Sequence, residues 1–396
     1  MDCAFAAPSA WPAPQRSLQS MAMKNFDVQV LGEGIVGRSL ALALARAGLR
    51  VALRPDAAQV PQIPSNDDVR AYALNAASVE LLRGLKVWDA LPAHAATAVL
   101  DMHVQGDAHA ASIDFSAWQQ HVSALAWITD AAVLERELAA AVRFAPHITV
   151  VDADEPVSAA LTALCEGKAS ATRDALGITF ERVAYDHVAI AARLTSTQAH
   201  QGMARQWFRA PDVLALLPFD TPQPQHSFAL VWSLPDARAA EMLALGAAAF
   251  EAELMQATNG EAGELTLASE RAAWPLMLAN ASAWSGPGWV LLGDAAHVVH
   301  PLAGQGLNLG LADVTALVEV IRAREPWRSL GDEKLLRRYA RERAAPTWAM
   351  GRLTDGLLRL FADDAPAARE LRNRGLTLVN KLSPIKRWLT ARALNS

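Results

Sequence analysis

The sequence predicts an α/β protein: a discontinuous parallel-sheet domain around a glycine-rich turn, a β-rich second part, and a helical C-terminal region. Three observations predict it. A βαβ unit with a glycine turn opens at residue 25. Short alternating runs fill the middle of the chain. Strand–turn–helix logic then returns at WVLLGD, residues 289–294.

The elements can be justified in order. Residues 25–31 (NFDVQVL) are an apolar run with strand character. Residues 32–37 are glycine-rich, and 38–47 (RSLALALARA) form an Ala/Leu helix that Gly48 stops. Residues 50–53 (RVAL) close the unit as a second strand. Residues 70–85 and 127–141 read as helices, and 102–115 alternate as a hairpin. Runs at 187–192, 205–208, 214–219 and 228–234, divided by Pro and polar clusters, read as a mostly antiparallel sheet. Residues 289–292 are a buried strand and 310–322 a helix. From 333 to 396 the chain reads as helical, broken at Pro346, Pro366 and Pro384. The expected division is an extension at 1–24, a nucleotide-binding domain at 25–100, 119–186 and 285–345, a β-domain at 101–118 and 187–284, and a basic helical region at 346–396.

Composition narrows the function. The chain has 396 residues, 36 Lys+Arg and 41 Asp+Glu, a net charge of −5, and 52% hydrophobic content. That is enough apolar material for a large core and excludes disorder, collagen and coiled coil. A net negative charge argues against a general nucleic-acid binder. Two cysteines, Cys3 and Cys165, make no disulfide framework and fit a reducing compartment. No stretch reads as a spanning helix, and residues 1–20 lack the basic and apolar regions of a signal peptide. The expectation is a cytoplasmic protein.

Two motifs carry chemistry. In the first, Gly32 allows a tight turn, Gly34 lets backbone approach a pyrophosphate, and Gly37 lets helix and strand pack closely. The helix N-terminus then offers free N–H groups to phosphate. Glu33 places a carboxylate in that cradle, where small residues are normal. The acidic residue expected at the end of the second strand is Pro55, with Asp56 one place further on. The second motif runs Gly293-Asp294-Ala295-Ala296-His297, then His300-Pro301-Leu302-Ala303-Gly304-Gln305-Gly306-Leu307-Asn308-Leu309-Gly310. An Asp at a strand end can accept from a ribose or ribityl hydroxyl. A glycine loop entering a helix N-terminus stabilises charge on a ring that becomes anionic. No carboxylate or Cys stands at ligand spacing from His297 and His300, so no metal site is expected.

GDAAHxxxPxxGQGxNxG resembles the second FAD fingerprint of flavin-dependent aromatic hydroxylases of the para-hydroxybenzoate hydroxylase fold, the class A flavoprotein monooxygenases. DVRAYALNAASVELLRGLKVWDAL (68–91), LALLPF (214–219), LVWSLPD (230–236), RAAWPL (271–276), LTDGLLRLF (353–361) and LRNRGLTLVNKLSPIKRWL (371–389) resemble the ubiquinone-biosynthesis hydroxylases among them. The likeness extends from residue 25 to about 393. It implies a discontinuous Rossmann-like FAD-binding domain, a β-rich substrate domain and C-terminal helices. It also implies an FAD monooxygenase that hydroxylates the ring of a prenylated phenol, with NAD(P)H as transient co-substrate and O2. No protein nucleophile is needed, and no catalytic acid or base is assigned.

By position, the resemblance implies that Gly32, Gly34, Gly37, Arg70 and Asp294 bind the cofactor, with Gly304, Gln305, Gly306, Leu307 and Asn308 at the flavin and Pro301 beside its reacting edge. Trp207, Phe208, Leu216, Pro218, Phe219 and Trp232 are candidates to line an apolar substrate cavity, with ordinary sheet core as the alternative. A third family motif, normally Asp-Gly followed by Ser and Arg, maps on Glu166, Gly167, Ser170 and Arg173. Four positions depart from the pattern: Glu33, Pro55, Ala131 (normally an amide) and Glu166. They motivate a second reading, a non-catalytic, weakly FAD-binding scaffold in a quinone-biosynthesis complex. A flavin halogenase is disfavoured, since no Trp-x-Trp-x-Ile segment occurs.

The last 26 residues carry six basic and no acidic side chains, against −11 for the rest of the chain. Apolar residues interleave with them. The segment therefore reads either as a peripheral inner-membrane or partner contact, or as a helix pair packed on its own acidic body.

Overall fold

The computed structural model describes residues 24–55, 68–106, 111–299 and 305–362. Cys3, Asp56, His300, Pro301, Gly304, Pro366, Pro384 and the basic segment 371–396 lie outside the described residues.

The chain opens with β1 (Lys24–Leu31), α1 (Ile35–Arg46) and β2 (Val51–Arg54). Alanine and leucine line the inner face of α1, and Gly48 leaves it at φ +84°. Next come β3 (Ala71–Leu74) and α2 (Ala76–Gly84), where one helix was expected over residues 70–85. Asn75 makes the break. Its side chain accepts from Ser78 N–H and caps the helix, while 71–74 pair with a later strand. A hairpin follows β4 (Ala96–Val99), formed by β5 (Asp101–Gln105) and β6 (Ser112–Ser116), as expected. The single helix expected at 127–141 also divides. After α3 (Ala117–Gln120) come β7 (Ala126–Asp130) and α4 (Ala131–Arg143), with Asp130 capping through Val133 N–H at 3.0 Å.

The chain continues through β8 (Ile148–Val150), β9 (Val157–Leu164), α5 (Ala171–Ala175) and the long β10 (Phe180–Ser196). Then come β11 (Met203–Arg209), β12 (Asp212–Phe219), β13 (Ser227–Pro235), α6 (Asp236–Ala244), α7 (Ala247–Thr258), β14 (Leu265–Leu267) and β15 (Ala272–Ala281). Short strands β16 (Ser285–Gly286), β17 (Trp289–Leu291) and β18 (His297–Val298) precede α8 (Gln305–Arg322) and α9 (Glu333–Ala362). Pro346 lies inside α9 and does not end it, contrary to expectation. The helix is anchored on both sides of the proline. Tyr339 donates to Leu291 O at 2.7 Å and Arg343 to Asp313 at 2.8 Å, while Thr347 and Gly351 are buried beyond it.

Three sheets result. The first runs β16-β17-β9-β1-β2-β8 and is parallel apart from β16. It is the nucleotide-binding sheet that the two glycine turns implied, and β17 returns to it beside β9 late in the chain. The second runs β18-β15-β10-β13-β12-β11-β5-β6, with β14 also on β10. It is antiparallel except where β11 meets β5. The third is β3-β7-β4. It lies between the other two, because Ile128 and Val99 pack with Phe219 and Ala204 of the large sheet.

Candidate cofactor site

Both glycine turns occur at the C-terminal edge of the first sheet, where open α/β sheets bind ligands. Gly32 follows β1 at φ +102°, and its N–H donates to Arg54 O at 2.9 Å. A Cβ on Gly32 would lie 2.3 Å from Cys165 O, and one on Gly37 would lie 2.0 Å from Gly32 O. These two glycines are demanded by backbone packing. Gly34 differs: a Cβ there meets nothing within 4 Å among the described residues. Protein contact does not explain that glycine, whereas the approach of a phosphate to the α1 N-terminus does.

The second turn sits against the first. Gly293, at φ +58°, and Gly310 both lie under the side chain of Val36, the residue before Gly37. A Cβ on Gly310 would approach Val36 Cγ2 to 2.8 Å. The third motif completes the arrangement. Cys165 N–H donates to Leu31 O at 2.7 Å, and fully buried Arg173 donates to Ala295 O at 3.2 Å. Arg173 also reaches Lys168 O and Asp174, and stacks 3.8 Å from the Phe180 ring centre. Glu166, the departure from the family aspartate, accepts from Ser170 at 2.5 Å and Thr172 at 2.8 Å. Three motifs far apart in sequence thus meet at one edge of the first sheet.

Asp313 on α8 holds the second turn in place, and the sequence reading missed it. Its buried carboxylate accepts from Gly293 N–H at 3.0 Å, His297 Nε2 at 2.7 Å and Arg343 Nε at 2.8 Å. Burial alone would raise this carboxyl. His297 and Arg343 outweigh it and hold it below the usual carboxylate range. His297 stacks on Trp284, with ring centres 4.9 Å apart. The available signal was one acidic residue among the buried, mostly apolar positions of α8.

Asp294 stands next to this network with no hydrogen-bond partner for its carboxylate among the described residues. Burial holds it above its ordinary value, and Lys168 and His297 pull the other way. The residue is half-buried, and a ribityl or ribose hydroxyl would be a fitting donor to it. Tyr72, from β3, lies within electrostatic reach of Asp294. Burial pushes its phenol up to about 12, against the pull of Arg70.

The other expected residues divide. Gln305, Gly306, Leu307 and Asn308 form the first turn of α8. Asn308 spends its side chain on the protein, accepting from Asn75 N–H at 3.0 Å and Ser78 at 2.7 Å and donating to Ala73 O at 2.8 Å. Arg70 is engaged by Asp68 at 2.6 Å and Glu135 at 3.1 Å. Ala131 is fully buried, and its N–H donates to Arg70 O at 3.2 Å.

The six apolar candidates fall on two faces of the large sheet. Trp207, Leu216 and Trp232 belong to the core that α6 and α7 cover, and Pro218 shares their face by alternation opposite Phe228. They pack as sheet core, the alternative held open for them. Phe219 turns toward the three-stranded sheet, and Phe208 packs with Val104 and Ile113. The guanidinium of Arg193 lies 3.9 Å from the Phe219 ring centre and donates to Arg70 O at 2.9 Å.

A family described as an FAD binding domain matches residues 140–354, more than half of the chain. The chain is 29% identical to 3-demethoxyubiquinol 3-hydroxylase of Escherichia coli, over 94% of this chain and 100% of that protein. It is 28% identical to the ubiquinone hydroxylase UbiL of Rhodospirillum rubrum, over 97% and 93%. Among solved structures, p-nitrophenol 4-monooxygenase PnpA of Pseudomonas putida superposes with a TM-score of 0.73 at 17% identity, covering 94% of this chain and 99% of that one. PqsL of Pseudomonas aeruginosa superposes at 0.70 and 20% identity, covering 89% and 100%.

Proposed function

The chain belongs to the FAD-binding-domain family, and from that premise we propose that it is an FAD-dependent monooxygenase that hydroxylates the ring of a prenylated phenol in ubiquinone biosynthesis. NAD(P)H and O2 are its co-substrates. The carrying observation is the likeness, along nearly the whole chain, to hydroxylases of ubiquinone intermediates. The site fits the cofactor: among the described residues, Gly34 leaves space at a helix N-terminus and no donor reaches the Asp294 carboxylate.

FAD, when bound, supplies electron transfer and oxygen activation. The chain's own residues bind and orient. The α1 N-terminus would hold the pyrophosphate, Asp294 would accept from the ribityl side, and the first turn of α8 would offer backbone N–H groups to the flavin. Gly304 and Pro301, which precede α8 in sequence, lie outside the described residues. Arg70 positions the crevice wall through its two carboxylate partners. Phe208 and Phe219 are the apolar candidates that remain for the substrate side.

We assign cofactor binding to 25–100, 119–186 and 285–345, the substrate side to 101–118 and 187–284, and a basic C-terminal region to 346–396, whose residues 363–396 lie outside the described ones. Among the described residues no helix is long and apolar enough to cross a membrane. The basic segment 371–396 is the part suited to an anionic membrane surface, where a greasy substrate resides.

The test is oxygen incorporation. Purified protein with FAD, NAD(P)H, 18O2 and a short-chain prenylated phenol yields a product heavier by one labelled oxygen. Failure both to retain flavin and to give labelled product from any prenylated phenol points instead to the weakly FAD-binding scaffold reading.

A further inference from the structure

Two departures from the dinucleotide pattern meet at one corner of the fold. The end of β2 normally carries the carboxylate that accepts from a ribose hydroxyl. Here the described residues at that end are Arg54 and Pro55, and neither side chain is an acceptor. Leu31 pairs with Arg54, and the Gly32 N–H bonds to Arg54 O. Residue 33 therefore leaves β1 at the level where β2 stops. That residue is Glu33, and its side chain is 23% exposed. A bare carboxylate here would repel a pyrophosphate, but Arg38, on the first turn of α1, lies 3.4 Å away and offsets the charge. Arg38 holds Glu33 through Nη2 to Oε2, which leaves acceptor capacity on the carboxylate.

We propose that Glu33 is the ribose acceptor of this protein, taking from β1 the hydrogen bond that neither Arg54 nor Pro55 accepts, with Arg38 as its positioning residue. The inference rests on the FAD reading and deepens it. It also turns two apparent losses into one relocation: the corner keeps a carboxylate, delivered from the neighbouring strand.

The experiment is a binding titration followed by flavin fluorescence on the full chain stripped of flavin. Two ligands are compared, FAD and FAD whose adenosine lacks the 2′ and 3′ hydroxyls. The wild type binds FAD at least about tenfold more tightly than the analogue, the size of a hydrogen bond to a charged group. Glu33→Gly and Glu33→Gln lose most of that gap by weakening FAD binding, with the analogue nearly unchanged. The double variant Glu33→Gly with Pro55→Glu returns a carboxylate to β2 and regains the gap. Thermal melting of each variant checks that it is folded. A Glu33→Gly protein that keeps the wild-type gap, or binds FAD more tightly, overturns the proposal. A wild type that binds neither ligand overturns the FAD reading itself, and this proposal with it.

Discussion

The two glycine turns do related jobs by different physics. The first, at 32–37, is packed through close backbone contact: Gly32 against Cys165 and Gly37 against Gly32. The second, at 293–297, is held by a buried ionic network, with Asp313 joining Gly293, His297 and Arg343. Packing fixes a turn by leaving no room. A charge network fixes it by leaving groups that are costly to unpair. The first turn is therefore sensitive to added volume and the second to lost charge.

The largest effect should come from the network. Asp313→Ala leaves Arg343 and His297 facing a vacant buried position, which costs about 3–5 kcal/mol. Chemical denaturation reads the loss, and flavin retention falls with it. Because the folded Asp313 carboxyl is held low, its stabilisation is present above the ordinary carboxylate pKa and is lost as pH falls through the folded value. Wild type should therefore lose stability in acid more steeply than Asp313→Ala.

Next comes the packed turn. Gly37→Ala forces a Cβ onto the Gly32 carbonyl and should destabilise the protein by about 1–3 kcal/mol. Gly34→Ala, three residues away, should change stability by less than about 0.5 kcal/mol yet weaken FAD binding markedly in a fluorescence titration. Equal melting losses for the two variants would break the distinction between a glycine needed by the fold and one needed by a ligand.

The smallest stability effect belongs to Asp294. Its folded carboxyl is raised by burial, so its contribution is complete below the unfolded pKa and lost as pH rises through the folded one. At neutral pH, Asp294→Asn should leave the flavin-free protein at least as stable in a thermal melt, while FAD affinity drops. A lower melting temperature for this variant would mean that Asp294 serves the fold.

How legible these regions were follows from the same physics. The glycine turns and the hairpin were readable because turn chemistry is local. The strand–helix junctions at Asn75 and Asp130 were not separated, although both capping residues were in view. No Gly or Pro stands at either junction, so periodicity merged strand and helix into one element. Pro346 misled in the opposite direction, since its helix is held by tertiary contacts on both sides. The apolar candidates could not be sorted because LALLPF is apolar on both faces, and only the sheet shows which face α6 and α7 cover. Asp313 and Asn308 act through partners 16 or more residues distant. No spacing rule on one sequence reveals such partners.

The most direct test of the account is the visible spectrum of the purified protein after incubation with excess FAD and removal of free flavin. A bound oxidised flavin, retained by the wild type and lost in Asp313→Ala, is the predicted result. A colourless wild type would contradict the claim that the three motifs form an FAD site.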